Sequence, residues 1–300
     1  MNLHFINYHH NGDIHYSKRF MLDLYNIIQP ENCYLHHNNS PRLISDMPFI
    51  KNSPPILASE IPSLKLVPPS LLHGPTVYQN FTMGDDIYIV TWLAYFYYIE
   101  NPIPSDKHSS IYSNYLGFTR VYEELGIKSE LKELEYYIPQ VNYDYFEKSN
   151  IDNFYMRDSN KKVFISNGKT LSGQVPNFSF DPIVQNLAND FPNTTFIVSH
   201  PTTVTNSNVI TTSNIIKIGG CDLNEISYLS LRCDVLVGRA SGPICYAHVK
   251  ENYFDKNKVM IGICDKEYEA FWYMPTNGCK LDWTDNYTPE NVYGIIKKYL

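Results

Sequence analysis

The sequence predicts an α/β protein made of two Rossmann-like domains whose parallel sheets face each other across a cleft. Three observations lead there. Short apolar runs alternate with helical patterns through the second half, the turns between them carry residues suited to helix starts, and 300 residues exceed the usual span of one hydrophobic core.

The chain opens on Leu3-His4-Phe5-Ile6-Asn7, a short strand. "YHHNGDIHYS" then reads as a loop, and Lys18 to Ile28 as a helix with apolar positions at Phe20, Leu24 and Ile27. "CYLHH" is a second strand. The prolines between Ser40 and Pro75 exclude long helices and leave short strands and loops. "DDIYIVTWLAYFYYI" is an apolar, aromatic core segment. Residues 145 to 162 are polar and unpatterned, which makes them the expected inter-domain link, with domains at 1–150 and 151–300.

Beyond the link the rhythm is regular. "KVFISN" is a strand, "SFDPIVQNLANDF" a helix with Asp181 as cap and Pro182 at its first position, and "TTFIVSH" a strand. "NIIKIGG" reads as a third strand. In "DLNEISYLSLRC" Asp222 and Glu225 have capping-box spacing, and Leu223, Ile226, Leu229 and Leu231 supply a mostly buried face. "DVLVG" is a strand, "SGPICYAHVKE" a helix and "KVMIGIC" the last strand. The closing helix, 288–300, starts on Thr288 and Pro289, carries a stripe of Val292, Ile295, Ile296 and Tyr299, and is a candidate to pack back on the N-terminal domain.

Composition narrows the function classes. A net charge of −7 argues against binding a nucleic-acid backbone, so any cationic site must be local. The N-terminus lacks a secretory signal and no stretch is long enough to span a bilayer, so a cytoplasmic protein without an integral membrane segment is expected. The six cysteines form no CxxC pair and behave as small hydrophobes. His4, His9, His10, His15, His36 and His37 match no zinc spacing, which favours hydrogen-bonding or surface roles over a metal site.

In an open parallel sheet, ligands gather beyond the carboxyl ends of the strands. This chain places its unusual residues there: Asn167-Gly168-Lys169 after one strand, His200-Pro201-Thr202 after the next, then Gly219-Gly220, then Arg239-Ala240-Ser241-Gly242. "NGKT" is not a P-loop, because the glycine required five positions before Gly168 is Val163. Lys169 can meet an anion or be a solvated loop lysine. In "VLVGRASGPI" Gly242 allows close backbone approach, Pro243 is pre-set for a first helical turn, Ser241 can cap and Arg239 adds a forked cation. That loop fits a phosphate site or a well-capped strand-to-helix turn. Asp13, after the first strand, can take a proton from a substrate hydroxyl or serve as a turn residue. Trp92, with Tyr95, Tyr97 and Tyr98 nearby, can offer a sugar a flat surface or fill the core.

Together these motifs resemble the heptosyltransferase family and its relatives among the GT-B glycosyltransferases. Gly12-Asp13 is similar to the Gly-Asp pair of the family's first loop. "FISNGKTLSG" is similar to the opening of its C-terminal domain, with Lys169 as its lysine. "CDLNEISYLSLRCDVLVGRASGPICYAHV" is similar to its helix, strand and Asp-Ser-Gly-Pro loop. The match covers most of 162–263 but only 1–28 of the first half. It departs where the family's acid before Ser-Gly-Pro is Ala240, preceded by Arg239, and where Cys245-Tyr246-Ala247 follows.

The resemblance implies a GT-B fold and transfer of a sugar from a nucleotide-diphosphate donor to a glycan or other hydroxyl acceptor. It implies an inverting, metal-independent reaction with no cofactor beyond the nucleotide-sugar co-substrate. Asp13 would be the base, and Lys169, Arg239, Ser241 and Gly242 would bind the departing diphosphate. His200, Thr202, Gly219, Gly220 and Glu225 would line the nucleoside, and Trp92 and His10 would meet the acceptor. A catalytically silent GT-B domain that binds nucleotide or glycan, and a sugar-nucleotide epimerase of the same architecture, remain alternatives.

Overall fold

A computed structural model describes residues 1–8, 10–56, 80–91, 110–170, 175–239, 241–264 and 278–300. The chain divides into two compact units, Met1–Gln140 and Val141–Leu300. The boundary lies earlier than the expected link, and that link is not a linker. It holds a helix, Ser149–Arg157, whose Ile151 is buried and whose Tyr155 hydroxyl donates to the Leu229 carbonyl at 2.5 Å.

In the first unit, β1 (Asn2–Ile6), β2 (Asn32–His36), β3 (Lys51–Ser53), β4 (Phe81–Met83) and β5 (Asp86–Val90) form a sheet in the order β3-β2-β1-β5-β4. All pairs are parallel except β4 with β5. Helix α1 runs from Asn11 to Ile28, so "NGDIHYS", expected as loop, is the helix's first two turns. The polar look of that stretch misleads because tertiary partners bury it. Lys18 and Asp46, both 2% exposed, form an ion pair at 2.7 Å, and His15 and Ser17 are fully buried. Helix α2 (Ser110–Glu124) packs on α1, with Phe20 stacked between Phe118 (4.3 Å) and Tyr137 (4.1 Å). Of the apolar segment beginning at Asp85, Asp86–Val90 is strand; Trp92, Tyr95, Tyr97 and Tyr98 lie outside the described residues.

The second unit contains α3 (Ser149–Arg157), β6 (Lys161–Ser166), α4 (Asp181–Asp190), β7 (Thr194–Val198), β8 (Val209–Thr211), α5 (Thr212–Ile216), α6 (Leu223–Ser230), β9 (Val235–Arg239), α7 (Gly242–Ala247), α8 (Lys250–Phe254), β10 (Val259–Ile263), β11 (Lys280–Thr284) and α9 (Pro289–Lys297). The sheet order is β11-β10-β9-β6-β7-β8, every pair parallel. This is the Rossmann order, with the direction of winding reversed between β6 and β9.

Near-continuous apolar runs follow from burial on both faces. Val163, Ile165, Phe196, Val198, Val235, Val237, Ile261 and Ile263 meet α4 and α9 on one side. The alternate residues Phe164, Ile197, Leu236 and Met260, all fully buried, turn to the other, where α7 packs on β6 and β9. Helix α9 seats Val292 and Ile296 in this core and is tied to the second unit, with Lys161 Nζ donating to the Tyr299 carbonyl at 2.6 Å.

Three expectations need correction. Ile215 and Ile216 of "NIIKIGG" end the one-turn helix α5, closed by Lys217 in the left-handed region (φ 58°), and the third strand is the three residues before that helix. "SGPICYAHVKE" splits into α7 and α8, and β11 was not anticipated. No helix among the described residues is long and apolar enough to cross a membrane.

Gly238 shows how tightly β6, β9 and α7 meet. A Cβ there would lie 2.7 Å from Ser166 Cβ, closer than real carbons approach, and 3.0 Å from Ile244 Cβ, a tight contact. Gly238→Ala is therefore expected to destabilise the protein by about 1–3 kcal/mol, read by denaturant unfolding. An unchanged midpoint would mean that strand and helix can separate freely.

Candidate active site

The rim built by the carboxyl ends of β6, β7 and β9 sits at the reversal of strand order, where neighbouring loops diverge and leave room for a ligand. Ser166, the last residue of β6, pairs in register with Gly238, and its Oγ lies 2.8 Å from Ser241 Oγ. That contact joins the loops after β6 and β9 at the first turn of α7. Ser241 is the N-cap of α7, extended (φ −139°, ψ 165°), with Gly242 and Pro243 opening the helix.

The neighbouring strand end is knit to the same loop. Asn167 Oδ1 accepts from the backbone N–H of His200 (2.8 Å) and from Ser199 Oγ (3.2 Å), while its Nδ2 donates to the His200 carbonyl (3.1 Å). The His200 ring lies over Gly168, where a Cβ would stand 2.4 Å from Cε1. Partial desolvation lowers the His200 pKa; Asp222 nearby opposes this and Arg239 adds to it, leaving a neutral ring at pH 7. Lys169, next in the loop, is exposed.

Arg239 is 1% exposed. One terminal nitrogen donates to the carbonyls of Asn167 (2.9 Å) and Gly168 (2.6 Å), the other to the Phe178 carbonyl (3.0 Å). The rings of Phe178 and Phe180 lie 4.9 and 5.0 Å from the guanidinium carbon. Burial lowers its pKa to about 10, so it stays charged at neutral pH.

The other residues singled out in the sequence have these settings. Asp181 is inside α4 rather than its cap, and its carboxylate accepts from Thr202 Oγ1 (2.6 Å), Thr203 Oγ1 (2.6 Å) and the Thr203 N–H (3.1 Å). Those bonds hold its pKa below the usual range against the opposing effect of desolvation. Gly219 and Gly220 follow α5 with open space around them, and Gly220 takes φ 87°. Glu225 is buried in the first turn of α6, and Asp222 accepts from Thr212 Oγ1 at 3.4 Å instead of capping.

Asp13 and His10 belong to the first unit, beyond β1. Asp13 occupies the third position of α1 and accepts from the His10 N–H at 3.0 Å, so the carboxylate closes the helix start. Trp92 lies outside the described residues. Among the described residues no group of three or more His, Cys, Asp or Glu could hold a metal ion.

The structure thus brings Lys169, His200, Arg239, Ser241 and Gly242 to one rim. It adds Ser166, Ser199, Phe178 and Phe180, which the sequence reading did not single out, and makes Asn167 the tie between two of the loops. The serines had a signal, since "KVFIS" and "TFIVS" both end an apolar strand on a hydroxyl. The phenylalanines had none.

No family model matches the sequence, and no curated protein matches it. Solved structures do. A glycosyl transferase of family 9 from Veillonella parvula DSM 2008 is similar over 99% of this chain and 88% of its own, at 12% identity and a TM-score of 0.51. The E. coli heptosyltransferase WaaC with ADP is similar over 100% of both chains, at 10% identity and a TM-score of 0.53. The likeness shows the fold, two Rossmann-like α/β units of the GT-B class.

Proposed function

We propose that this chain is a glycosyltransferase that moves a sugar from a nucleotide-diphosphate donor to a glycan or other hydroxyl acceptor. The observation that carries this reading is the reversal of strand order between β6 and β9, with a lysine, paired serines and a helix-opening glycine at the two strand ends. The fold likeness to the structure of the E. coli heptosyltransferase WaaC with ADP supports the nucleotide half of the proposal.

In the proposed reaction Asp13 takes the proton of the acceptor hydroxyl as its oxygen attacks the anomeric carbon. The bond from that carbon to the diphosphate oxygen breaks, configuration inverts, and the nucleoside diphosphate leaves carrying the new negative charge. Lys169, Ser241 and Gly242 meet that charge, and no metal or separate cofactor takes part. His200, Thr202, Gly219, Gly220 and Glu225 line the nucleoside; Thr202 does so with its hydroxyl engaged by Asp181. His10 and Trp92 serve the acceptor.

A thermal-shift screen with ADP, GDP, UDP, CMP and dTDP, then their sugars, tests the donor half, because a ligand bound only to the folded state raises its stability. Turnover of a bound sugar nucleotide with EDTA present tests the chemistry. Lys169→Ala is expected to weaken the nucleotide that binds by about tenfold at low salt and less at high salt. Silence across the nucleotide screen removes the donor reading, and binding without turnover leaves a silent binding domain.

A further inference from the structure

The loop after β6 has two described limbs, Asn167–Thr170 and Val175–Phe180, and Arg239 bridges them. Its guanidinium takes carbonyls from the first limb (Asn167 and Gly168) and from the second (Phe178), between two phenyl rings. A second tie runs alongside: Thr170 N–H donates to Asn177 Oδ1 at 2.9 Å and Asn177 Nδ2 to the Thr170 carbonyl at 3.1 Å.

This bridge sets more than the loop's path. In a trans peptide the C=O and the N–H of the same plane point opposite ways, and the described chain contains no cis peptide. With the Asn167 and Gly168 carbonyls drawn onto the guanidinium, the N–H groups of Gly168 and Lys169 turn away from it. Here they accompany the exposed Lys169 ammonium.

We propose that Arg239 is a positioning residue for the donor. It does not touch the diphosphate, and by holding three carbonyls it presents the Gly168 and Lys169 amides, with the Lys169 ammonium, to the phosphates of a nucleoside diphosphate. The inference rests on the donor reading above, but its core, a guanidinium that organises the loop, can be measured without any nucleotide.

The test uses the full chain as wild type, Arg239→Ala and Arg239→Lys. Amide hydrogen exchange without ligand is expected to quicken about tenfold or more over Asn167–Thr170 and Val175–Phe180 in Arg239→Ala, with Val259–Ile263 unchanged. Methylguanidinium at millimolar concentration is expected to restore protection, and sodium chloride at the same concentration is not. With the diphosphate that binds best in the panel, Arg239→Ala should lose about tenfold in affinity, recover it with methylguanidinium, and keep the wild-type dependence on ionic strength.

Lys169→Ala should lose that ionic-strength dependence. Unchanged loop exchange in Arg239→Ala, or loss of the ionic-strength dependence in that variant, overturns the proposal; the latter places the guanidinium on the phosphate. If Arg239→Ala does not fold, Arg239→Lys decides by the same exchange comparison, since an ammonium lacks the planar fork whose two terminal nitrogens reach the two limbs separately. A wild type that binds no diphosphate defeats the donor reading, while the exchange result still decides the role of Arg239 in the loop.

Discussion

Asp13→Asn is expected to lower sugar transfer by about 10²–10⁴-fold while nucleotide affinity and the thermal midpoint stay at wild-type values. The structure makes this substitution unusually clean. Asp13 is at the third position of α1 and accepts from the His10 N–H at 3.0 Å, a bond that an asparagine carbonyl can still accept. The helix start is therefore kept and only the ability to take a proton is removed. Full turnover in the Asn variant would reduce Asp13 to a helix-start residue and move the search for the base elsewhere. Asp13→Ala is less informative, because it removes the base and the backbone contact together.

The largest stability effect is expected at Asp23, a buried carboxylate on α1 with 2% side-chain exposure. It accepts from the hydroxyls of Tyr122 (2.5 Å) and Tyr137 (2.8 Å) and pairs with Lys132. Asp23→Ala leaves two buried phenols and a lysine without their acceptor, and is expected to cost about 3–5 kcal/mol in urea unfolding. Desolvation by itself would raise the Asp23 pKa, but the hydrogen bonds from Lys132, Tyr122 and Tyr137 outweigh it and the net shift is downward.

The sign of the pH effect follows from that shift. A carboxylate with a folded pKa below its unfolded value of about 3.9 stabilises the fold above that value, and loses the contribution as pH falls through the folded pKa. The stability gap between wild type and Asp23→Asn should thus be constant from neutral pH to about 4 and narrow below it. A gap that widens on acidification would show that Asp23 is held neutral in the fold.

Much of the second unit was readable because its strands have to be buried on both faces. Runs such as "VFI", "TFIV" and "VLVG" can only be sheet interiors when helices with one apolar face alternate with them, and that pattern alone predicts a parallel sheet with ligand-bearing loops at one rim. The failures are local. "IIKI" is four apolar-rich residues, too short for periodicity to separate strand from helix, and in the fold its first two end a helical turn that Lys217 closes. The first turns of α1 look like loop because His15 and Ser17 are polar, yet the packing around them buries both.

The parallel strands of the second unit, the rim and the candidate residues on it therefore come from local patterning. The direction of a side chain does not. Whether Arg239 faces solvent or the fold depends on Asn167, Gly168 and Phe178, all more than sixty residues away in sequence. Backbone carbonyls are present at every residue and leave no trace in composition. Only the folded chain brings three of them and two phenyl rings around one guanidinium, and that convergence separates a cation facing the ligand from one that shapes the loop that does.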